Sequence, residues 1–495
     1  VEAGIPAPAR VLAPVAPAPA PAAAAKPSHC EINGCMASMP KRMSLFTKNT
    51  LPGVDPGNFS YLRQDGKAKK RLHLRVEQDG SAILLVNANR IYHFNPSAAL
   101  MARLILEEVD DNHAAIHVAH TFMIKAERAA ADLAEFKQTF LPIISPVEDP
   151  CPICDLNLEI LEPFSQQPSA PYRMDLALTY RCNNRCLHCY NEASRAGNEY
   201  SKEDWFKVLD KVWEIGIPHV VFTGGEPTLR PDLPDLVAHA EQLGLISGLN
   251  TNGRKLADAA YVRELAEAGL DHVQITLESH DPTIHDRIVS AAGAWQETVA
   301  GIRSALASPL FVMTNTTLLK DNSAHLQQTL DFLKDLGVPT VGLNGLIHSG
   351  RGTANPQALR EDELPALLEI AKAHVTESGQ HLIWYTPTQY CRFNPVESGL
   401  GVKGCTAARY NMCIEPDGGV LPCQSYYQPL GNILNDRWDS IWNSDLALSI
   451  RERRYAPTGC RVCDLLSTCG GGCPLYIREN PQIVPQPVID LPFLK

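Results

Sequence analysis

At 495 residues, with 45% hydrophobic and 20% charged side chains, the chain is long enough for roughly two to four domains around a large core, and its make-up is that of an ordinary soluble globular protein. A net charge of −11 weighs against nucleic acid as the main partner, and no apolar run is long enough to cross a membrane. Fifteen cysteines, odd in number and clustered at metal-ligand spacings, fit a reducing, cytoplasmic compartment and metal sites better than a disulfide framework.

Residues 1–27 are almost entirely Ala, Pro and Val, which cannot build a core; a disordered lead is expected, and the pattern lacks the charged start and compact apolar run of a signal peptide. Cys30 and Cys35 follow, and Cys151 and Cys154 form a tight knuckle far downstream. The two pairs bracket a small domain, residues 70–142, within a unit of 28–155, and together could supply a four-thiolate zinc site that staples its ends. Two unrelated pairs, or a redox-active C-x2-C, is the plainer alternative.

Within that domain, 72–76, 82–86 and 90–94 read as strands, with a hairpin turn at Asp79 and Gly80. Asn95 and Pro96 start a helix that runs through Leu106, and a further helix spans about 125–140 with Ala129, Leu133 and Phe136 on one face. A hairpin followed by about three helices resembles the PqqD-like winged-helix fold, the RiPP recognition element. The resemblance implies that an edge strand and a helix grip the leader part of a precursor peptide by strand addition. The basic run Lys67, Lys69, Lys70, Arg71 and Arg75 suits an acidic peptide, and is equally an ordinary solvated stretch. A purely structural winged helix is the alternative.

From Arg173 onward, strand and helix patterns alternate. Strands are expected at 174–179, 219–223, 246–251, 272–277, 311–317 and 340–345, and helices at 201–215, 231–243, 257–268, 295–307 and 323–336, with one more amphipathic helix at 361–378. Repeated βα units imply a parallel sheet with right-handed crossovers, whose chemistry collects at the carboxyl ends of the strands. After the first strand come Cys182, Cys186 and Cys189 in a C-x3-C-x2-C loop. Three thiolates so close together can hold three corners of a [4Fe–4S] cluster and leave the fourth iron open. A structural zinc site would need a fourth ligand, which His188 could supply only under strain. After strand two, Gly224 and Gly225 let backbone approach a ligand, and the Glu226 carboxylate can pair with an ammonium. Asn252 follows strand three and Ser279 strand four. Arg287 lies beyond Asp281 and Pro282, read as a helix break. Asn344 ends strand six, with Gly350–Gly352 just beyond. Tyr190, next to the third cysteine, reads as a packing residue.

The cysteine loop together with Gly224, Gly225 and Glu226 resembles the radical S-adenosylmethionine (SAM) superfamily. The resemblance implies a partial (β/α)6 barrel and an open iron that binds the amino and carboxylate groups of SAM. One electron then splits SAM to methionine and a 5′-deoxyadenosyl radical that takes a hydrogen atom from substrate. It assigns Glu226 to the methionine amino group, and Asn252, Ser279 and Arg287 to the ribose and carboxylate. The alternative for those last three is loop capping.

The C-terminal cysteines carry a second pattern: Cys405, Gly418 and Cys423, then Cys460-x2-Cys463-x5-Cys469-x3-Cys473. This resembles the SPASM domain, whose members carry up to two auxiliary iron–sulfur clusters. By the family's interleaving, Cys405, Cys413, Cys423 and Cys473 would hold the first, and Cys460, Cys463 and Cys469 three corners of the second. The family usually supplies a further cysteine downstream, and residues 474–495 contain none. The fourth position is left to Cys391, a carboxylate such as Asp464, or solvent, and that cluster could be smaller or absent.

The expected organisation is a disordered segment (1–27), a PqqD-like domain (28–155), a radical SAM barrel (173–350), a connecting helix and linker (351–399), a SPASM domain (400–477) and a tail (478–495). The expected function is a radical SAM/SPASM maturase that crosslinks or oxidises a ribosomally made peptide or protein, fed by a reductant such as flavodoxin or ferredoxin. One rival is a radical SAM enzyme of tetrapyrrole-cofactor synthesis or of metal-oxidoreductase maturation. Another is a non-catalytic iron–sulfur electron carrier or docking scaffold, against which the intact SAM motifs count.

Overall fold

The computed structural model describes residues 53, 55–65, 68–87, 90–146, 168–191 and 197–480. The Ala/Pro-rich lead, the Cys30, Cys35, Cys151 and Cys154 set with its zinc, and most of the tail lie outside the described residues.

β1 (Gly57–Asp65), β2 (Ala68–Val76), β3 (Ala82–Val86) and β4 (Arg90–Phe94) form an antiparallel sheet in that order, followed by α1 (Pro96–Leu106), α2 (Asp111–Phe122) and α3 (Ala126–Ile144). The Asp79 carboxylate accepts the Ser81 N–H at 3.0 Å and closes the hairpin, in which Val76 pairs with Ala82. Asn95 caps α1 by accepting the Ala98 N–H at 2.9 Å. β1 is not foreseen from sequence. Its Asn58, Ser60, Arg63, Gln64 and Asp65 leave little apolar alternation, and its order comes from pairing along β2.

The period of two along β2 sorts its side chains onto two faces. Leu72, Leu74 and Val76 are buried under the helices. Arg71, His73 and Arg75 are buried on the other face, against the barrel. Arg71 Nε donates to Asp271 at 2.9 Å and its guanidinium also pairs with Glu241. Arg75 donates to the Ala170 and Gly216 carbonyls, each at 3.2 Å, and His73 Nε2 donates to the Gly244 carbonyl at 2.7 Å. Lys70 is buried too, its ammonium 3.3 Å from the Ile143 carbonyl. The reading of this run as solvated or peptide-binding is therefore corrected for Lys70, Arg71 and Arg75, which are internal ties; the side chains of Lys67 and Lys69 lie outside the described residues.

The barrel follows. β5 (Arg173–Thr179), α4 (Lys202–Ile215), β6 (His219–Gly224), α5 (Leu233–Leu243), β7 (Ile246–Thr251), α6 (Ala259–Ala268), β8 (His272–Thr276), α7 (Pro282–Val289), α8 (Ala294–Leu306), β9 (Phe311–Leu318), α9 (Lys320–Ser323), α10 (Leu326–Asp335) and β10 (Thr340–Gly345) alternate as expected of an open (β/α)6 barrel. β5 to β10 are parallel and adjacent in sequence order. Their apolar runs, such as Val220–Phe222, suit strands covered on both faces. α11 (Leu364–Ser378) leads to β11 (His381–Trp384), which adds parallel to β10.

Two readings are corrected. Asp281 and Pro282 do not break a helix but start one: Asp281 accepts the Thr283 N–H at 2.7 Å and Pro282 fits the first turn of α7. The helix expected at 323–336 is α10, which starts later, at Leu326, with the short α9 as a separate turn before it.

β12 (Asn411–Ile414), β13 (Gly419–Leu421) and β14 (Gly431–Asn432) extend the same sheet beyond β5, with β12 parallel to β5. α12 (Trp438–Trp442), α13 (Asp445–Arg451), α14 (Leu466–Cys469) and α15 (Pro474–Glu479) complete the C-terminal part. The front domain's ties reach Gly216 after α4, Gly244 after α5 and Asp271 before β8. It thus sits at the amino ends of the strands, opposite the loops where parallel barrels place their chemistry. No helix among the described residues is long and apolar enough to cross a membrane.

Candidate radical SAM site and auxiliary cysteine sets

β5 delivers the chain into the loop of Cys182, Cys186 and Cys189, all free thiols. Backbone bonds fix this loop from several sides. Arg185 and Leu187 donate to the Val289 and Ile288 carbonyls at 2.9 and 2.8 Å, and the Arg351 N–H donates to the Cys189 carbonyl at 2.8 Å. The Asn184 N–H points at Cys182 Sγ, 3.3 Å away. Burial pushes the Cys182 thiol up to about 11 and that of Cys186 well above its usual range, with the neighbouring thiols adding to the effect. Loading such a loop with metal therefore releases its protons. Among the described residues, no three His, Cys, Asp or Glu side chains are gathered as they would be around a single metal ion; thiolates around a four-iron cube stand farther apart.

The next strand end meets this loop closely. Gly225 and Glu226 donate to the Thr179 and Arg181 carbonyls at 2.6 and 2.8 Å. A Cβ on Gly224 would sit 2.2 Å from the Thr179 carbonyl oxygen, and one on Gly225 2.2 Å from that of Arg181, so the contact admits only glycine. Glu226 is 1% exposed. Its carboxylate accepts Thr228 N–H at 3.1 Å, the Thr228 and Thr251 hydroxyls at 2.7 Å each, and the Asn252 N–H at 2.8 Å. Burial raises its pKa and these four bonds oppose the rise. Glu226 therefore knits the ends of β6 and β7 into one floor.

Of the remaining predicted residues, Asn252 reaches the loop directly, donating to the Asn183 side chain at 2.6 Å. Ser279 is fully buried and its hydroxyl accepts the Asp281 N–H at 3.1 Å, a capping position. Arg287 lies 3.4 Å from Asp321 and is half exposed. Tyr190 is partly buried beside Cys189. Gly350 lies against Tyr190 and Asn191, where a Cβ would stand 2.5 Å from the Tyr190 carbonyl oxygen.

Several contacts are not legible in the sequence. Arg254 donates to the Asn183 carbonyl and the Asn184 side chain at 2.8 and 2.9 Å. His188 Nε2 stands 3.0 Å from the wholly buried Glu278 carboxylate, rather than acting as a zinc ligand. Asn191 donates to the Gly224 carbonyl at 2.8 Å and accepts from the Tyr427 hydroxyl at 2.8 Å, so one amide joins three distant segments. Inside the barrel, the buried amide oxygens of Asn315 on β9 and Asn344 on β10 have no hydrogen-bond partner among the described residues, as suits a cavity that takes a polar ligand.

The C-terminal cysteines gather in two neighbourhoods. In the first, Cys405 neighbours Cys473 and Cys423, and Cys413 neighbours Asp175 and Cys423; burial lifts all four thiols. In the second, Cys460 neighbours Cys469, Cys391 and Cys463. Glu361, buried and pushed up to about 7 by that burial, accepts the Gln389 N–H at 3.2 Å near both sets. Asp464 is exposed.

Residues 176–333 match the radical SAM superfamily and residues 405–464 the SPASM iron–sulfur cluster-binding domain. The chain is 30% identical over 312 residues to the PqqA peptide cyclase of Granulibacter bethesdensis, covering 60% of this chain and 80% of that protein. It is 32% identical over 322 residues to the PqqA peptide cyclase of Streptomyces rochei, covering 61% and 84%. The chain belongs to the radical SAM superfamily. As a radical SAM/SPASM enzyme it uses S-adenosylmethionine, a [4Fe–4S] cluster and auxiliary iron–sulfur clusters. Its fold is that of SuiB from Streptococcus suis, solved with its precursor peptide SuiA: TM-score 0.63 at 16% identity, over 88% of this chain and 100% of that one. SuiB bound to S-adenosylmethionine aligns with a TM-score of 0.61 over 82% and 95%.

Proposed function

We propose that this radical SAM enzyme is a peptide maturase. Its SAM site is made of the Cys182, Cys186 and Cys189 loop and the Gly224–Glu226 floor, and its substrate is a ribosomally made peptide. The observation that carries the site is the packing of the three-thiol loop on two glycines that no side chain could replace. When bound, the cluster and SAM supply a carbon radical able to take a hydrogen atom from an unactivated carbon. Cys182, Cys186 and Cys189 hold the cluster, and the rigid Gly224–Gly225 backbone offers close approach to the methionine end of SAM. Glu226 fixes that backbone through its four hydrogen bonds to Thr228, Thr251 and Asn252. Asn252 and Arg254 brace the loop. Ser279 accepts the Asp281 N–H at the start of α7 and Arg287 pairs with Asp321, so neither is given a SAM contact in this proposal.

Cys405, Cys413, Cys423 and Cys473 form the first auxiliary set in this proposal, and the Cys460 group the second; the clusters they would hold would accept the electron lost by the substrate radical. Peptide as substrate is supported by the relatives named as PqqA peptide cyclases and by the precursor peptide bound to SuiB. It is also supported by a front domain whose sheet leaves β1 and β4 as edge strands, β4 beside α3 through Phe94, Phe136 and Phe140. Strand addition there would hold a leader and raise the local concentration of the part to be modified. The leader site lies at the amino ends of the barrel strands, so the peptide must run past the barrel's side to reach the loop. Flavodoxin or ferredoxin is the proposed reductant.

The test is anaerobic incubation of the reconstituted chain with SAM, reductant and each short peptide encoded beside its gene. Loss of two hydrogens from one peptide, matched by 5′-deoxyadenosine, supports the proposal. Deoxyadenosine without change in any peptide, together with turnover of a tetrapyrrole, would overturn it in favour of cofactor synthesis.

A further inference from the structure

The second auxiliary set has three cysteines in a C-x2-C-x5-C run, and its fourth position decides what it can do. An open iron binds a substrate; a closed one only carries electrons. The segment between the barrel and the SPASM domain reaches this position. Thr388–Phe393 forms a tight turn: the Arg392 and Phe393 N–H groups donate to the Gln389 carbonyl at 2.8 and 3.0 Å, and the Thr388 hydroxyl donates to the Phe393 carbonyl at 2.9 Å. The turn rests on Cys469. The Tyr390 N–H donates to Cys469 Sγ at 3.3 Å, and that sulfur lies 3.7 Å from the Thr388 carbonyl. Gly472, at φ +87°, lets the strand of cysteines come this near, since a Cβ there would stand 3.0 Å from the Gln389 side chain.

Cys391 is carried on this turn, one residue beyond the amide that holds Cys469. Its thiol is exposed and is a direct electrostatic neighbour of Cys469 and Cys460. A second observation points to a ligand in the same place. Gln389 is 1% exposed, and neither its amide oxygen nor its amide nitrogen has a hydrogen-bond partner among the described residues; the buried Arg392 Nε is likewise unpartnered. Leaving such donors dry and unpaired is unfavourable unless something polar fills the space. Cluster sulfides accept hydrogen bonds of this kind.

Resting on the reading of residues 400–477 as a SPASM domain, we infer that Cys391 is the fourth ligand of the second auxiliary cluster. Cys391, Cys460, Cys463 and Cys469 would then close a [4Fe–4S] site with no open iron. Each thiol gives up its proton to solvent on binding iron, and the iron and inorganic sulfide of the cluster are those supplied in reconstitution. The closed site is an electron carrier and not a place where substrate binds. The fourth ligand arrives from upstream of the SPASM domain, so the linker after β11 is part of the metal site.

The test is metal analysis and EPR of the anaerobically reconstituted full chain beside three variants. A Cys460/Cys463/Cys469→Ala triple variant defines the site and should lose about four irons per chain. Cys391→Ala should lose between about one and about four, or should keep its iron with a changed EPR spectrum and midpoint potential for that cluster alone. Asp464→Ala should match the wild type in iron and spectrum. The signals of the other clusters serve as the check that each variant is folded. Wild-type iron, spectrum and potential in Cys391→Ala, with the triple variant depleted, would overturn the inference while leaving the second cluster in place. A triple variant that loses no iron would overturn the second cluster itself, and the inference with it.

Discussion

Cys413 on β12 lies in register with Asp175 on β5. The strand that carries a cysteine of the first auxiliary set is thus hydrogen-bonded to the strand that leads into the radical SAM loop. The two sites share a sheet, so distance and orientation between them are set by backbone pairing and not by a flexible linker.

Asp175 is fully buried and paired with Arg173 Nε at 2.7 Å, and its charge faces Cys413 and Cys423. Removing that negative charge favours the reduced cluster. Asp175→Asn should raise the midpoint potential of the first auxiliary cluster by tens of millivolts, roughly 60 mV if the interaction is about 1.4 kcal/mol. Potentiometric EPR titration reads this directly, and an unchanged or lower potential would count against the placement.

Glu226 accepts four hydrogen bonds in a buried site, and Glu226→Gln turns one acceptor into a donor aimed at N–H or O–H groups. The loss should be about 1–3 kcal/mol of local order. SAM affinity, measured by equilibrium dialysis on the reconstituted protein, should fall by about 10-fold or more. A wild-type affinity would mean that the β6–β7 floor does not depend on this carboxylate.

Gly350 abuts the Tyr190 and Asn191 carbonyls at the end of the cysteine loop, with φ at +54°. Gly350→Ala forces backbone apart next to Cys189, at a cost of a few kcal/mol. The expected outcome is lower iron retention at the radical SAM loop, with the SPASM iron intact. Iron analysis and EPR after desalting would check it.

Acid should destabilise the fold through three buried histidines, His73 at the front domain's seam with the barrel and His219 and His272 at the starts of β6 and β8. Burial pushes His73 and His272 down to about 4 and His219 well below its usual range; Arg71 beside His73, and Arg173 beside the other two, add to it. His219 Nε2 and His272 Nε2 are 2.9 Å apart, so one must be the acceptor and they cannot both be charged there. The unfolded chain takes up these protons near 6.5 and the folded one does not. Stability is therefore complete above that pH and falls as pH drops towards 4, by about 0.7 kcal/mol per histidine between pH 7 and pH 6. Urea midpoints across that range should show the slope. His73→Gln, which keeps a donor for the Gly244 carbonyl, should reduce it by one histidine's share.

Much of this fold is written locally. The strands at 174–179 and 219–223 fall where the apolar runs Leu176–Leu178 and Val220–Phe222 place them, because a covered parallel strand declares itself by composition. β11 to β14 do not, since two to four residues carry no period, and their order comes from neighbours already in the sheet. The cysteine loop and the Gly224–Gly225 pair are legible because a cluster and a close backbone approach restrict residue type at fixed spacing. The Tyr427–Asn191 bond spans 236 positions and Arg71–Asp271 spans 200, and no local pattern encodes either. The basic stretch at Arg71–Arg75 misleads for the same reason: the barrel supplies the Asp271 and Glu241 carboxylates to Arg71 and the Gly216 carbonyl to Arg75.

The most direct test of the account is the cleavage of SAM itself. Wild type and a Cys182/Cys186/Cys189→Ala triple variant would be reconstituted without oxygen, reduced, given SAM, and assayed for 5′-deoxyadenosine by mass spectrometry. The account predicts deoxyadenosine from the wild type only, with iron in the wild type exceeding that of one cluster. A fully loaded wild type that makes none would contradict it and leave an electron carrier or docking scaffold in its place.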